Sequence, residues 1–207
     1  MLNVKRLRSE PFIWIHLSGI VLFPILLEVA WIGLSLGNRF TYILEIALLI
    51  GSGVFPVLLM QLIRPFNIFS ILLVSLKAEC LSDEQRQILA LFRTAKQKFF
   101  SMVTAGIMIL VLLLLYRLSP LAVGVADFLP QWHILGLAIA IVAFLASNLF
   151  LQVPLSVLLV LLTKKSKLAE IEPYPLEKIN ESFTTPGIKV NKILWFLEPA
   201  LETTDNA

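Results

Sequence analysis

The sequence predicts an all-α integral membrane protein, a bundle of four membrane-spanning helices arranged as two hairpins. Of its 207 residues, 58% are apolar and only 15% are charged, and the mean hydropathy is +0.87. Soluble domains average roughly 45–50% apolar and about 25% charged residues. A soluble fold of this size would leave much of its apolar surface in water. Lipid is therefore the predicted solvent.

Four apolar segments meet the length of roughly 20 residues that a helix needs to cross the hydrocarbon core. They are residues 12–36, 42–63, 99–118 and 132–162. The last segment is too long for one straight crossing, and Pro154 inside it predicts a kink or an exit from the bilayer. The apolar segment 65–76 is too short to span, so we place it at the interface or in a re-entrant position.

The basic residues predict the orientation, because cytoplasmic connections carry an excess of Lys and Arg. All of them except Arg39 and Arg117 precede the first span, lie between the second and third spans, or follow the fourth. We therefore expect both termini in the cytoplasm. The net charge of +3 then reflects topology and contact with anionic lipids rather than binding of nucleic acid.

Two cytoplasmic elements are predicted outside the spans. Residues 82–98 form an amphipathic helix that starts with a capping box, Ser82 with Gln85, and carries Phe92 on its apolar stripe. We divide the chain into a transmembrane domain, residues 1–163, and a C-terminal cytoplasmic extension, residues 164–207. The extension contains a short helix at residues 176–183 and an apolar run around Trp195 that could contact head groups or a partner.

Two acidic residues within the spans are candidates for function, since an ionisable group in the bilayer is costly. Glu28 lies in the middle of the first span, and Glu45 is about one turn from the outer boundary of the second. Each could fix helix contacts, handle a proton or ion, or meet the transmembrane helix of a partner.

Four further polar residues lie in or near the spans. His16 and His133 start the first and fourth spans on opposite sides, so they cannot share a metal. Either imidazole could ligate the magnesium of a chlorophyll or form an interfacial hydrogen bond. Asn148 and Gln152 lie one turn apart in the fourth span, where they favour hydrogen bonds across helices, with anchoring of a partner as the alternative.

Catalytic motifs are missing from the sequence. It contains no nucleotide-binding glycine loop, zinc-ligand cluster, CxxC pair or serine nucleophile elbow. We therefore expect no enzyme activity, no catalytic residue and no metal site.

Five segments of the chain are distinctive: RSEPFIWIH (8–16), RPFNIFS (64–70), LPQWH (129–133), AFLASNLFLQVP (143–154) and EPYP (172–175). Together they resemble a cyanobacterial family known as low-complexity tail membrane proteins. The resemblance extends from Arg8 to about Leu194, although the tail after Leu194 is short and not strongly biased in composition.

This resemblance implies a thylakoid location and a link to the photosynthetic apparatus, and it carries over no catalytic or ligand residue. The leading hypothesis is a non-catalytic protein that binds photosystem subunits during assembly or repair, or as an accessory factor. Glu28, Asn148, Gln152, Phe92 and Trp195 are the candidate partner contacts. The alternative is a small oligomeric transporter or channel that uses Glu28 and Glu45, and a third possibility is chlorophyll binding by His16 or His133.

Overall fold

The computed structural model describes residues 4–38, 40–71, 73–164, 168 and 170–193. Four of its helical segments are long and apolar enough to cross a membrane, and this confirms the predicted four-span helical bundle and its contact with a lipid bilayer. Span 1 is Pro11–Leu34, span 2 is Tyr42–Ile63, span 3 is Ala95–Ala126 and span 4 is His133–Leu161.

Spans 1 and 2 are each interrupted once, and in span 2 the interruption lies beside a proline. Span 1 consists of α2 (Pro11–Ser18), a 3₁₀ turn (Gly19–Val21) and α3 (Leu22–Leu34). Span 2 consists of α4 (Tyr42–Gly53) and α5 (Phe55–Ile63), which meet at Val54. Pro56 in the first turn of α5 has no N–H to continue the hydrogen bonds of α4.

Spans 3 and 4 contain the longest helices of the bundle. Span 3 joins α7 (Ala95–Leu118), a 3₁₀ turn (Ser119–Ala122) and α8 (Val123–Ala126), so it starts and ends outside the predicted limits of 99–118. Span 4 is the single helix α9 (His133–Leu161), which continues past Pro154 rather than leaving the bundle there.

The predicted amphipathic helix 82–98 is two helices. The capping box is present, with Ser82 and Gln85 each bonding the backbone of the other, but α6 (Asp83–Leu91) ends after nine residues. Thr94 has an extended backbone and accepts a hydrogen bond from the Gln97 N–H, so it starts α7 as a second N-cap. The break therefore separates α6 from span 3.

A folded layer covers the end of the bundle at which α1 (Val4–Ser9) lies, and we call this the basic end. Strands β1 (Ser70–Ile71) and β2 (Val74–Leu76) are antiparallel, and β2 pairs in parallel with β3 (Ile188–Val190). The helix α10 (Leu176–Ser182) precedes β3. This small sheet was not predicted from the sequence.

One core joins the basic end to the spans. Its largest fully buried side chains include Ile13 of span 1, Phe69 of the β1–β2 region, Ile88 of α6 and Phe183 after α10. The segment 65–76 thus forms a hairpin that belongs to a folded layer, and its interfacial or re-entrant position relative to the membrane stays a prediction. The C-terminal residues up to Ile193 pack against the same core.

Spans 1 and 4 approach most closely at two glycines. A Cβ atom on Gly33 would lie 2.7 Å from the carbonyl oxygen of Gly136, and a Cβ on Gly136 would lie 2.5 Å from that of Gly33. Neither position admits a side chain without moving a backbone, so this contact fixes span 1 against span 4.

Candidate functional site

Glu28 lies on the outer surface of the bundle. It is in α3, six residues before the helix ends at Leu34, which is about 9 Å along the axis at 1.5 Å per residue. Its side chain is exposed and forms no hydrogen bond or ion pair with a residue that the structure describes. In a membrane, this surface faces either lipid or another protein.

The surroundings of Glu28 are apolar and equally open. Val21 is 64% exposed, Ile25 51% and Val29 39%, all on neighbouring turns of span 1. Three residues after Glu28, the indole N–H of Trp31 is buried and has no acceptor within the described part of the chain. An unpaired carboxyl and an unpaired donor thus lie one turn apart, and we call residues 21, 25, 28 and 29 the Glu28 face.

Glu45 has the opposite environment, because it is 1% exposed. One carboxylate oxygen accepts the Tyr116 hydroxyl at 2.8 Å. The other lies 2.7 Å from Nε2 of His133 and also accepts the N–H of Phe40. These three side chains come from the start of span 2, the end of α7 and the start of span 4, and we call them the far-end cluster.

The hydrogen bonds of the far-end cluster show that Glu45 and His133 share one proton. Nδ1 of His133 is 2.8 Å from the carbonyl oxygen of Leu36, and since a carbonyl only accepts, Nδ1 must carry a proton. One further proton then lies between Nε2 and the Glu45 carboxyl. With that proton on either atom, the pair has no net charge, which makes its burial tolerable.

The far-end cluster also holds the connection between spans 1 and 2. It binds this connection at the carbonyl of Leu36 and the N–H of Phe40. Gly37 between them has φ +66° and donates its N–H to the side chain of Gln131 at 3.3 Å. The far-end cluster thus holds the loop between spans 1 and 2 against the ends of three helices. The Glu45–His133 pair at its centre shares one proton and has no net charge.

Asn148 and Gln152 are both inside the bundle, 0% and 1% exposed. Asn148 donates to the carbonyl of Gly53 at 3.1 Å, next to the break in span 2, and Gln152 donates to the Asn148 side chain at 3.0 Å. The Asn148 hydrogen bond crosses from span 4 to span 2, whereas the Gln152 hydrogen bond stays within α9. Both amides are buried in the bundle, so in this structure neither is presented to a partner.

The remaining predicted site residues are placed as follows. Phe92 is 4% exposed inside the basic-end core, so the structure places it away from any partner surface. The helix α6 buries its apolar stripe in the same core. Trp195 lies outside the described residues.

The two histidines are far apart and both are engaged. Nδ1 of His16 is 2.8 Å from the carbonyl oxygen of Phe12, and the ring also bonds the backbone of Ser70. His16 lines an apolar cavity of 330 Å³ between spans 1 and 4. To ligate a chlorophyll magnesium, His16 would have to give up its hydrogen bonds to the backbone, and His133 would have to give up those to Leu36 and Glu45.

Among the described residues, no group of three or more His, Cys, Asp or Glu could hold a metal ion.

Sequence reasoning named Glu45 and His133 separately and did not pair them. They are 88 residues apart, and Tyr116 was one of several aromatic residues near a boundary. One signal was available, because all three fall where predicted spans meet the same side of the membrane. Polar groups at one boundary of a small bundle are natural hydrogen-bond partners.

Comparison with known proteins places the chain in a family. A family model described as "Low-complexity tail membrane protein-like" matches residues 9–195. No curated protein and no solved structure matches the chain.

Proposed function

Because the chain belongs to the low-complexity tail membrane protein-like family, we propose that it is a non-catalytic membrane protein that binds other membrane subunits through the Glu28 face. The observation that carries this proposal is the open position of Glu28 within span 1, without a hydrogen bond or ion pair to any described residue.

The energetic argument concerns a carboxyl group in hydrocarbon. Transfer of an acidic side chain to the centre of a membrane helix costs roughly 2.5–3.5 kcal/mol on insertion scales, and Glu28, about 9 Å from the end of its helix, bears a part of that cost. Acidic residues in spans therefore usually face the protein interior or a partner. Glu28 faces outward, so a donor from another chain is what removes this cost. Arg, Lys, His, Asn, Gln or Ser on a partner helix could supply it, and Val21, Ile25 and Val29 would supply the apolar contact.

The partners proposed are photosystem subunits, in an assembly, repair or accessory role in the thylakoid membrane. This part of the proposal is supported by the resemblance to a cyanobacterial family. A second contact is available at the basic end, where Leu73 is 75% and Ile188 73% exposed. The two residues are adjacent, because the Ile188 N–H donates to the carbonyl of Leu73 at 2.8 Å.

The transporter alternative requires Glu28, Glu45, Asn148 and Gln152 to line one pathway. Within one chain they do not converge, since Glu28 lies on the outside. The core between the far-end cluster and Asn148 is filled by apolar side chains such as Leu49, Leu112 and Phe144, each 0% exposed. A pathway would have to run between copies that meet at the Glu28 face.

The test is co-purification from gently solubilised cyanobacterial membranes, with the tagged full chain as bait and mass spectrometry of the eluate. We expect photosystem subunits in near-fixed ratio with the wild-type protein. Glu28→Leu should remove them, and Glu28→Gln should retain a part, because an amide can still hydrogen-bond.

The matched control is Leu110→Ala in span 3, where Leu110 is 66% exposed on another side of the bundle. It should leave the subunits bound. If Glu28→Leu retained the same subunits as the wild type, the Glu28 face would not be the binding surface. If only further copies of the chain eluted, the heterologous partner would be wrong and the oligomeric transporter would be favoured.

A further inference from the structure

A second open site lies at the basic end, where spans 3 and 4 meet the folded layer. It is a cavity of 560 Å³, and its walls include the first turn of α7 and the end of α9. The residues that line it include Lys96, Gln97, Leu159, Leu162, Lys164 and Glu170. Because α7 begins at Ala95 and α9 ends at Leu161, the cavity is at the level where the spans leave the bilayer.

The charge of the cavity is positive. Lys96 and Lys164 are exposed and form no ion pair with a described residue. Among the described residues, Glu170 is the one acidic residue that lines the cavity, so two described cations face one anion. Basic pockets at the ends of membrane helices attract anionic lipid head groups.

Gln97 supplies a second, independent observation. It lies at the cavity wall, yet its side chain is only 6% exposed. Its Nε2 donates to the carbonyl of Ser156 at 2.9 Å, while its Oε1 is buried and has no partner in the described part of the chain. A buried acceptor without a donor is costly. A rotation of the Gln97 side chain toward the cavity would bring this oxygen within reach of a hydroxyl group on a bound head group.

The apolar part of the wall distinguishes a lipid from a soluble anion. Leu159 and Leu162 lie at the end of span 4, and Leu162 is 65% exposed. An acyl chain could follow these leucines from the cavity along the span. We propose that this cavity binds an anionic membrane lipid with a hydroxyl-bearing head group, of the phosphoglycerol kind.

The test uses the full chain in nanodiscs of phosphatidylcholine that contain a small fraction of phosphatidylglycerol, with bound lipids read by native mass spectrometry. We expect the wild type to enrich phosphatidylglycerol. Lys96→Ala with Lys164→Ala should weaken this enrichment by about 25-fold, since each lysine near the surface contributes about five-fold. Lys98→Ala is the matched control, because Lys98 is exposed in the same turn of α7 and does not line the cavity.

Gln97→Leu tests the hydroxyl group. It should abolish the preference for phosphatidylglycerol over phosphatidic acid and keep the enrichment of both over phosphatidylcholine. The lysine variants could also disturb folding, so thermal unfolding of the wild-type protein provides a measurement that needs no variant. Its midpoint should rise when phosphatidylglycerol is added, as expected for a ligand that binds only the folded state.

Three results would overturn the proposal. The first is a loss of about five-fold with Lys98→Ala, the same loss per lysine as in the double variant, which would indicate diffuse attraction by surface charge. The second is displacement of the lipid by soluble glycerol 3-phosphate, which would indicate a water-soluble ligand. The third is a wild-type protein without enrichment of phosphatidylglycerol.

Discussion

Glu28 and Glu45 are glutamates in adjacent spans, yet the regions around them differ in almost every respect. The far-end cluster buries Glu45 and provides three hydrogen-bond donors, from Tyr116, His133 and the backbone of Phe40. The Glu28 face provides no partner among the described residues. An intramembrane carboxyl that is satisfied inside the chain stabilises the fold, whereas one that is open on the surface is available to a second molecule. The difference predicts that loss of Glu45 affects stability and loss of Glu28 affects binding.

The largest effect should come from Glu45→Leu. It leaves a buried histidine, a hydroxyl and a backbone N–H without their acceptor, and removal of one member of a buried pair costs about 3–5 kcal/mol. We expect a large drop in the midpoint of thermal unfolding in mild detergent, followed by tryptophan fluorescence.

Glu28→Leu is the control for this experiment. It should leave the midpoint of the isolated protein unchanged or raise it, because an exposed polar group is replaced by an apolar one on the lipid side. Equal destabilisation by both variants would remove the distinction between the two regions.

A smaller effect is expected for Gly33→Ala, which tests how firmly span 1 is held against span 4. The new Cβ would lie 2.7 Å from the carbonyl oxygen of Gly136, and overpacking of this kind costs about 1–3 kcal/mol. Gly51→Ala is the matched control, since no atom lies within 4 Å of its Cβ position. It should be neutral or stabilising in the same unfolding measurement.

Tyr116→Phe should weaken the far-end cluster by about 1 kcal/mol, the value of one hydrogen bond to a partner that keeps other donors. The effect is smaller than that of Glu45→Leu because the Glu45 carboxyl keeps its hydrogen bonds to His133 and to the N–H of Phe40. A loss as large as with Glu45→Leu would show that the hydroxyl is essential to the cluster.

The smallest effect concerns Glu10, which lies before span 1 and accepts a hydrogen bond from Gln85 at 3.5 Å. Burial raises the pKa of the Glu10 carboxyl above its ordinary value of 4.5. A raised pKa in the folded state means that the protonated form is favoured there, so this group's contribution to stability is lost as pH rises through the raised pKa. Glu10→Gln should remove this part of the pH dependence above pH 4.5, measured as the unfolding midpoint against pH.

The spans could be predicted from the sequence because their signal is local. Twenty apolar residues in a row define a span, and Ser82 with Gln85 defines a helix start, whatever the rest of the chain does. The second start at Thr94 carries a similar signal, since Gln97 follows three residues later, and the continuous apolar stripe of residues 82–98 conceals it.

The sheet and the far-end cluster could not be predicted in the same way. Strands of two and three residues have no readable alternation, and β2 pairs with Ile188–Val190, more than a hundred residues later. The apolar run 65–76 therefore resembled an interfacial segment. Likewise, the sequence places Glu28 in the middle of a predicted span and Glu45 near a boundary, and only the position of other helices decides which of them is satisfied.

The pairing of β2 with β3 has a consequence for the order in which the chain folds during synthesis. The hairpin of β1 and β2 is made before the third and fourth spans, while β3 is made after both of them. Until β3 leaves the ribosome, one edge of β2 has no strand beside it and is open to other chains. Insertion of all four spans therefore precedes completion of the sheet. A nascent chain that stops before residue 188 would contain the four spans and the β1–β2 hairpin, but one edge of β2 would have no partner strand.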